Sequence, residues 1–176
     1  MSAQRDPAGP DHRPDINKSA EIDGVITATS PFVKYLDDNL LTELYRPEWV
    51  GVFGNNEPIE HLYTVKAPTG GVRKEWYYHE HTLDRYLVLQ GLLDVGLYDA
   101  RQDSKTYKKF TIVSAGEPGS GLPNAIRIPP FVWHSLKWQS RQGMLLNAKL
   151  PGYEKNMPDK FRIQPPDIPE GIVWNV

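Results

Sequence analysis

Four side chains in this sequence have the types and spacing for metal or proton chemistry: His79, His81, Asp84 and His134. Three neutral imidazoles and one carboxylate suit a divalent transition metal (iron, zinc, manganese or nickel) with positions left open for a substrate. Histidine also changes protonation near neutral pH, so His79 could act instead as a general base. The two uses compete, because a coordinated ring has no lone pair left for a proton. With a metal in place the base would have to be Glu80, Tyr77, Tyr78 or Tyr153. Arg85, Arg127 and Lys149 could hold a diphosphate through charge-assisted hydrogen bonds, and Tyr86 could stack on a sugar or a base. The plainer alternatives are two half-exposed strand histidines, solvated basic residues and core aromatics.

The elements that must position these groups read as short strands. In a strand, residues two apart share a face, so His79 and His81 would look into one space, with Glu80 turned away and Asp84 at a bend just beyond. After Gly91, Leu92–Asp99 reads as the return strand of a hairpin. Val132–Trp138 and Met144–Leu150 read as a second antiparallel pair. Further β-prone runs lie at 25–29, 32–36, 40–46, 59–66 and 110–113, separated by proline- and glycine-rich turns. Gly116–Gly121 lacks the lysine and Ser/Thr of a phosphate loop and reads as a surface loop. Met1–Ala20 is polar and proline-rich, which predicts a flexible tail, and residues 21–176 form one domain. Many short strands without a long amphipathic helix predict an all-β sandwich or barrel.

Composition narrows the function classes. The 176 residues fit a single core, and a formal net charge of −2 without a long basic run argues against nucleic-acid binding. There are no cysteines, so disulfides and thiolate metal sites are excluded. No apolar run is long enough to span a bilayer and no signal-peptide pattern is present, so a cytoplasmic protein without membrane contact is expected.

Two stretches carry a resemblance. His79-x-His81, Asp84 and Gly91 resemble the first motif of the cupin superfamily, with one residue fewer between His81 and Asp84. Pro129 and His134 match the second, Pro-x-Gly-x-x-His, with Phe131 in the glycine position. Within the cupins the chain resembles the dTDP-4-dehydrorhamnose 3,5-epimerase family, from about Asp37 onward. The likeness rests on Asp38–Arg46, on Leu87–Arg101 with Ser104-Lys105-Thr106, on Ile128–Ser135, and on the ending Gly171-Ile172-Val173-Trp174-Asn175.

The resemblance implies an all-β double-stranded β-helix, or jelly roll, forming a homodimer. It also implies an isomerase acting beside the keto group of a nucleotide-linked deoxy sugar in carbohydrate biosynthesis. His79 takes the place of the family's base, and Tyr153 is a further catalytic candidate. The family's lysine falls at Asp84, its tyrosine near Asn147 and its arginine near Trp76, and its partner aspartate would follow Asn175, where Val176 stands. His81 and Asp84 instead restore the cupin metal-ligand set. A metal-dependent oxidoreductase such as a dioxygenase, and a non-catalytic carbohydrate-binding cupin, are the rival readings.

Overall fold

The computed structural model describes residues 15–17, 21–30, 32–35, 39–45, 57–72, 75–170 and 172. The expectations for most of the N-terminal tail and for Trp174 therefore lie outside the described residues. Runs rich in β-branched and aromatic residues form the strands. In chain order they are β1 (Asp15–Asn17), β2 (Ile26–Thr29), β3 (Phe32–Tyr35), β4 (Asn39–Thr42), β5 (His61–Ala67), β6 (Gly71–Val72) and β7 (Trp76–Tyr78). They continue as β8 (Asp84–Gln90), β9 (Leu92–Asp99), β10 (Phe110–Gly116), β11 (Ala125–Ile128), β12 (Val132–Trp138), β13 (Gly143–Lys149) and β14 (Phe161–Ile163). A single 3-10 turn, Pro165–Asp167, is the one helical element among the described residues.

The strands build the expected jelly roll. One sheet runs β1-β2-β11-β8-β13-β5 and the other β10-β9-β12-β7-β14, with β6 also on β12 and β3–β4 as a separate hairpin. Within the stretch expected to be a tail, Asp15–Asn17 pairs with β2, with Asp15 opposite Thr29. Between the sheets lies the main core, including Val88, Leu93, Val95, Leu97, Ile126 and Leu145, all fully buried. At about 1.5–3 kcal/mol for each large apolar side chain, this layer dominates the folding drive. Both outer faces are covered as well. Leu87, Ala125 and Ala148 pack under Leu44 and Ile59 on the first sheet, and Trp76 and Tyr98 pack with Ile163 and Ile172 on the second. Double-sided burial explains why β8 reads as an almost continuous buried run rather than alternating.

Neither expected hairpin exists. β8 lies in the first sheet and β9 in the second, where β9 pairs with β10 and β12. β12 and β13 are divided in the same way. The cause lies in the connections, which cross between the sheets and lock onto each other. Ser140 Oγ accepts the Leu92 N–H at 3.1 Å and donates to the Gln142 carbonyl at 2.6 Å, while the Gln139 N–H donates to the Leu92 carbonyl at 2.9 Å. Gly91 has φ of +82°, and a Cβ there would collide with Ser140 Oγ and the Gln142 carbonyl. Gly91→Ala is therefore expected to destabilise the fold by about 1–3 kcal/mol, read from the urea midpoint at unchanged m-value.

The Asp99–Thr106 run that carries part of the family resemblance is a clamp around the buried Asp99 carboxylate. The Asp99 carboxylate accepts hydrogen bonds from Arg101 Nε at 2.8 Å, Ser104 Oγ at 2.5 Å and Thr106 Oγ1 at 2.6 Å. It fixes the loop between β9 and β10, away from the cavity described next.

Candidate active site

A cavity of about 550 Å³ is lined by residues from both sheets. Three strands of the first sheet supply one wall: His61, Tyr63 and Val65 from β5, Asp84 and Tyr86 from β8, and Leu145, Asn147 and Lys149 from β13. Tyr77 of β7 faces them, together with His79, His81 and Thr82 from the β7–β8 connection. An irregular strap, residues 151–160, crosses the rim and contributes Tyr153, Met157, Asp159 and Lys160.

At the inner wall the two motifs meet. Asp84, His79 and His134 are 1%, 4% and 1% exposed. His79 Nε2 lies 3.1 Å and His134 Nε2 3.4 Å from the same oxygen, Asp84 Oδ2. Each ring is oriented from behind by a carbonyl, which can only accept. His79 Nδ1–H therefore donates to the Asp159 carbonyl, and His134 Nδ1–H donates to the Val132 carbonyl at 3.0 Å. Both Nε2 atoms thus carry the lone pair in the neutral ring. Lys149 Nζ lies 3.3 Å from His79 Nε2 and 3.3 Å from Asp84 Oδ1. Asn147 Nδ2 donates to Asp84 Oδ1 at 2.8 Å and to the Tyr63 hydroxyl at 2.9 Å, and Asn147 Oδ1 accepts the Arg85 N–H at 3.2 Å.

These contacts set the charges. Burial works to raise the Asp84 carboxyl, but the imidazoles of His79 and His134 and the Lys149 ammonium close beside it outweigh burial and hold it below the usual carboxylate range. Burial pushes the His134 imidazole down to about 4, against the pull of Asp84, so it is neutral at pH 7. Asp84 Oδ2 and His134 Nε2 are then two buried acceptors facing each other, and neither has a hydrogen-bond partner. Such a pair fits a cation. The ligand atoms of His79, Asp84 and His134 all lie within 4.8 Å of one another, and three donors of this kind suit zinc or iron.

The structure sorts the other expected site residues. His81 stands exposed at the rim, outside the His79–Asp84–His134 group. The assumed strand alternation fails because residues 79–82 are not a strand. The Asp159 carboxylate takes the amides of Glu80, His81 and Thr82 and bends the chain there. Arg85 is also misplaced by the phosphate reading. It is fully buried, and Nε, Nη1 and Nη2 donate to the carbonyls of Ala148, Glu57 and Pro58 at 2.8, 2.9 and 2.8 Å. Arg127 lies away from the cavity, with Nη2 2.7 Å from Glu57 Oε1. Lys149 lines the cavity within the inner cluster, against Asp84 and His79. Tyr86 lines the cavity with its ring edge-on to His134, and Tyr153 stands at the rim, 65% exposed, with its ring 6.0 Å from His61. Phe131, in the motif's glycine position, has φ of +60°, the region that favours glycine. Its amide donates to the His79 carbonyl at 2.7 Å.

Sequence reasoning missed the roles of Lys149, Tyr63 and Asp159. A signal existed for the first: Lys149 is two residues beyond Asn147 on one strand, so it shares the face where the family's tyrosine was expected. Asp159 lies in an irregular proline-rich stretch that carries no periodicity. Burial works to raise its carboxyl, but the Thr82 hydroxyl and the amides of residues 80–82 hold it at about 2. With its folded pKa depressed, this carboxylate stabilises the strap above the ordinary value near 4. That contribution is lost as pH falls towards 2. Hydrogen exchange of the 80–82 amides should accelerate across that interval relative to the core amides of β8.

The sequence matches no family model. It is 30% identical over 137 residues to the probable low-salt glycan biosynthesis epimerase Agl13 of Haloferax volcanii, covering 77% of this chain and 83% of that protein. It is also 31% identical over 106 residues to the spore coat polysaccharide biosynthesis protein SpsL of Bacillus subtilis, covering 60% of this chain and 68% of the other. Among solved structures, dTDP-4-dehydrorhamnose 3,5-epimerase from Elizabethkingia anophelis superposes with a TM-score of 0.72 at 15% identity, over 94% of this chain and 88% of that one. The fold agrees with that epimerase, and the sequence likeness to a glycan-biosynthesis epimerase extends across both motifs. The chain belongs to the family of the glycan-biosynthesis epimerase Agl13, and it has the jelly-roll fold of dTDP-4-dehydrorhamnose 3,5-epimerase.

Proposed function

We propose that this protein is a sugar-nucleotide epimerase that inverts a carbon beside the keto group of a nucleotide-linked deoxy sugar, with His79 as the base. The observation that carries this reading is the His79 ring, held through Nδ1 by a carbonyl while Nε2 lies at the inner wall of the cavity beside an ammonium group. A proton passes from the carbon to Nε2, and the electron pair of the broken C–H bond moves onto the keto oxygen. The Lys149 ammonium is placed to stabilise that developing negative charge. Tyr63 and Tyr153 line the same cavity and offer phenol protons for the opposite face of the carbon. His81 and Lys160, nearer the rim, can meet a diphosphate. Incubation with a dTDP-linked 4-keto-6-deoxy sugar should yield its epimer, resolved by proton NMR. Recovery of unchanged substrate from folded protein counts against the reading. A homodimer, as the family resemblance implies, is tested by light scattering.

A second reading is favoured by the buried acceptor pair. His79, Asp84 and His134 would hold a divalent transition metal, which supplies Lewis-acid polarisation of the keto group when bound. In that case His79 is a ligand and the base lies elsewhere. The Lys149 ammonium opposes this reading, since it already sits against Asp84 and His79. Elemental analysis of the purified protein separates the two, with near-stoichiometric metal that is lost in His134→Ala as the outcome favouring the metal.

A further inference from the structure

The strap over the cavity is tied to the base at one residue. Asp159 Oδ1 accepts the Glu80 N–H at 2.8 Å, and Oδ2 accepts the amides of His81 and Thr82 at 2.9 and 2.7 Å and the Thr82 hydroxyl at 2.7 Å. The carbonyl of the same residue accepts His79 Nδ1–H. A closed loop of bonds results: from the His79 ring to the Asp159 carbonyl, through Asp159 to its carboxylate, and back along the 80–82 backbone to His79. On the other side the Phe131 amide holds the His79 carbonyl at 2.7 Å. The strap is otherwise tethered by Leu83–Leu150 pairing and by the Gly152 amide on Glu60 Oε2 at 2.9 Å. Between these tethers Tyr153 and Met157 are 65% and 74% exposed. The side chains of the strap therefore do little to bury it, and Asp159 is its main connection to the β7–β8 turn.

We propose that Asp159 is a positioning residue for the His79 base: its carbonyl selects the ring tautomer with Nε2 unprotonated, and its carboxylate holds that carbonyl in register with the ring. The role falls on the backbone carbonyl, and the side chain acts by clamping it. An alanine at this position keeps the carbonyl but releases it. This inference rests on His79 acting as the base, so the test includes a measurement that needs no substrate.

The experiment is long-range nitrogen–proton NMR of the His79 ring, assigned by comparison with His79→Asn, in the wild type, Asp159→Ala and Asp159→Asn. The wild type should show protonated Nδ1 and bare Nε2. Asp159→Ala should show a mixture of tautomers, with kcat lower by about 10²-fold and KM changed less than twofold. Asp159→Asn, whose NH₂ group must face either the Glu80 N–H or the N–H groups of His81 and Thr82, should follow alanine. The opposite tautomer in the wild type overturns the proposal without any variant having to fold. A variant ring that keeps the wild-type tautomer at full kcat also overturns it, and leaves His79 as the base. A tautomer change in Asp159→Ala with no turnover of keto sugars by the wild type would support the positioning and remove the epimerase reading.

Discussion

His79→Asn is expected to lower kcat for epimerisation by about 10³-fold while leaving the protein folded. Asparagine can still donate to the Asp159 carbonyl through its amide nitrogen, so the strap keeps its partner. What it lacks is a basic nitrogen at the cavity wall, and no neighbour supplies one in the same place. His134 is buried behind, with its ring centroid 5.7 Å from that of His79, and Lys149 Nζ is engaged with Asp84. An interaction made only in the transition state should appear in kcat and kcat/KM alike, with KM close to the wild-type value. Steady-state kinetics with the keto-sugar nucleotide checks this, and circular dichroism confirms the fold.

Arg85→Met is expected to cost about 3–5 kcal/mol of stability, the largest effect on folding among the residues singled out from the sequence. The guanidinium spans three carbonyls, those of Glu57, Pro58 and Ala148, and so pins the segment before β5 and the end of β13 to β8. Methionine fills part of the volume but offers no donor to any of the three carbonyls, of which that of Ala148 is buried. Lysine is no substitute, because a single ammonium cannot reproduce the planar fork. Denaturant unfolding measures the loss. An Arg85→Met protein with wild-type stability and weakened nucleotide affinity would restore the phosphate reading that the structure displaces.

These two residues mark where the sequence was legible. The metal-type set His79, Asp84 and His134 could be read from motif spacing, because the fold brings the end of one motif against the other through strand neighbours: Asp84 faces Ile128 across β8 and β11, and His134 faces Tyr77 across β12 and β7. The all-β class was likewise legible from short β-prone runs between turns. Pairing was not. Gly91 looks like a hairpin turn in sequence, yet whether a turn reverses within a sheet or crosses to the facing one depends on contacts with residues 139–142, far along the chain. His81 was misjudged because alternation was assumed where Asp159, nearly eighty positions away, bends the backbone. Arg85 and Lys149 each looked like a surface cation, and only burial assigned one to carbonyls and the other to the inner cluster.

The most direct test of the account is solvent exchange. The protein is treated with a chelator and incubated in D₂O with a dTDP-linked 4-keto-6-deoxy sugar, and the proton signals of the carbons flanking the keto group are followed by NMR. If His79 is the base, those signals disappear at the same rate before and after chelation, and persist with His79→Asn. Exchange that stops on chelation and returns with added metal would contradict the base assignment. No exchange at all from the folded wild type would contradict the epimerase reading itself.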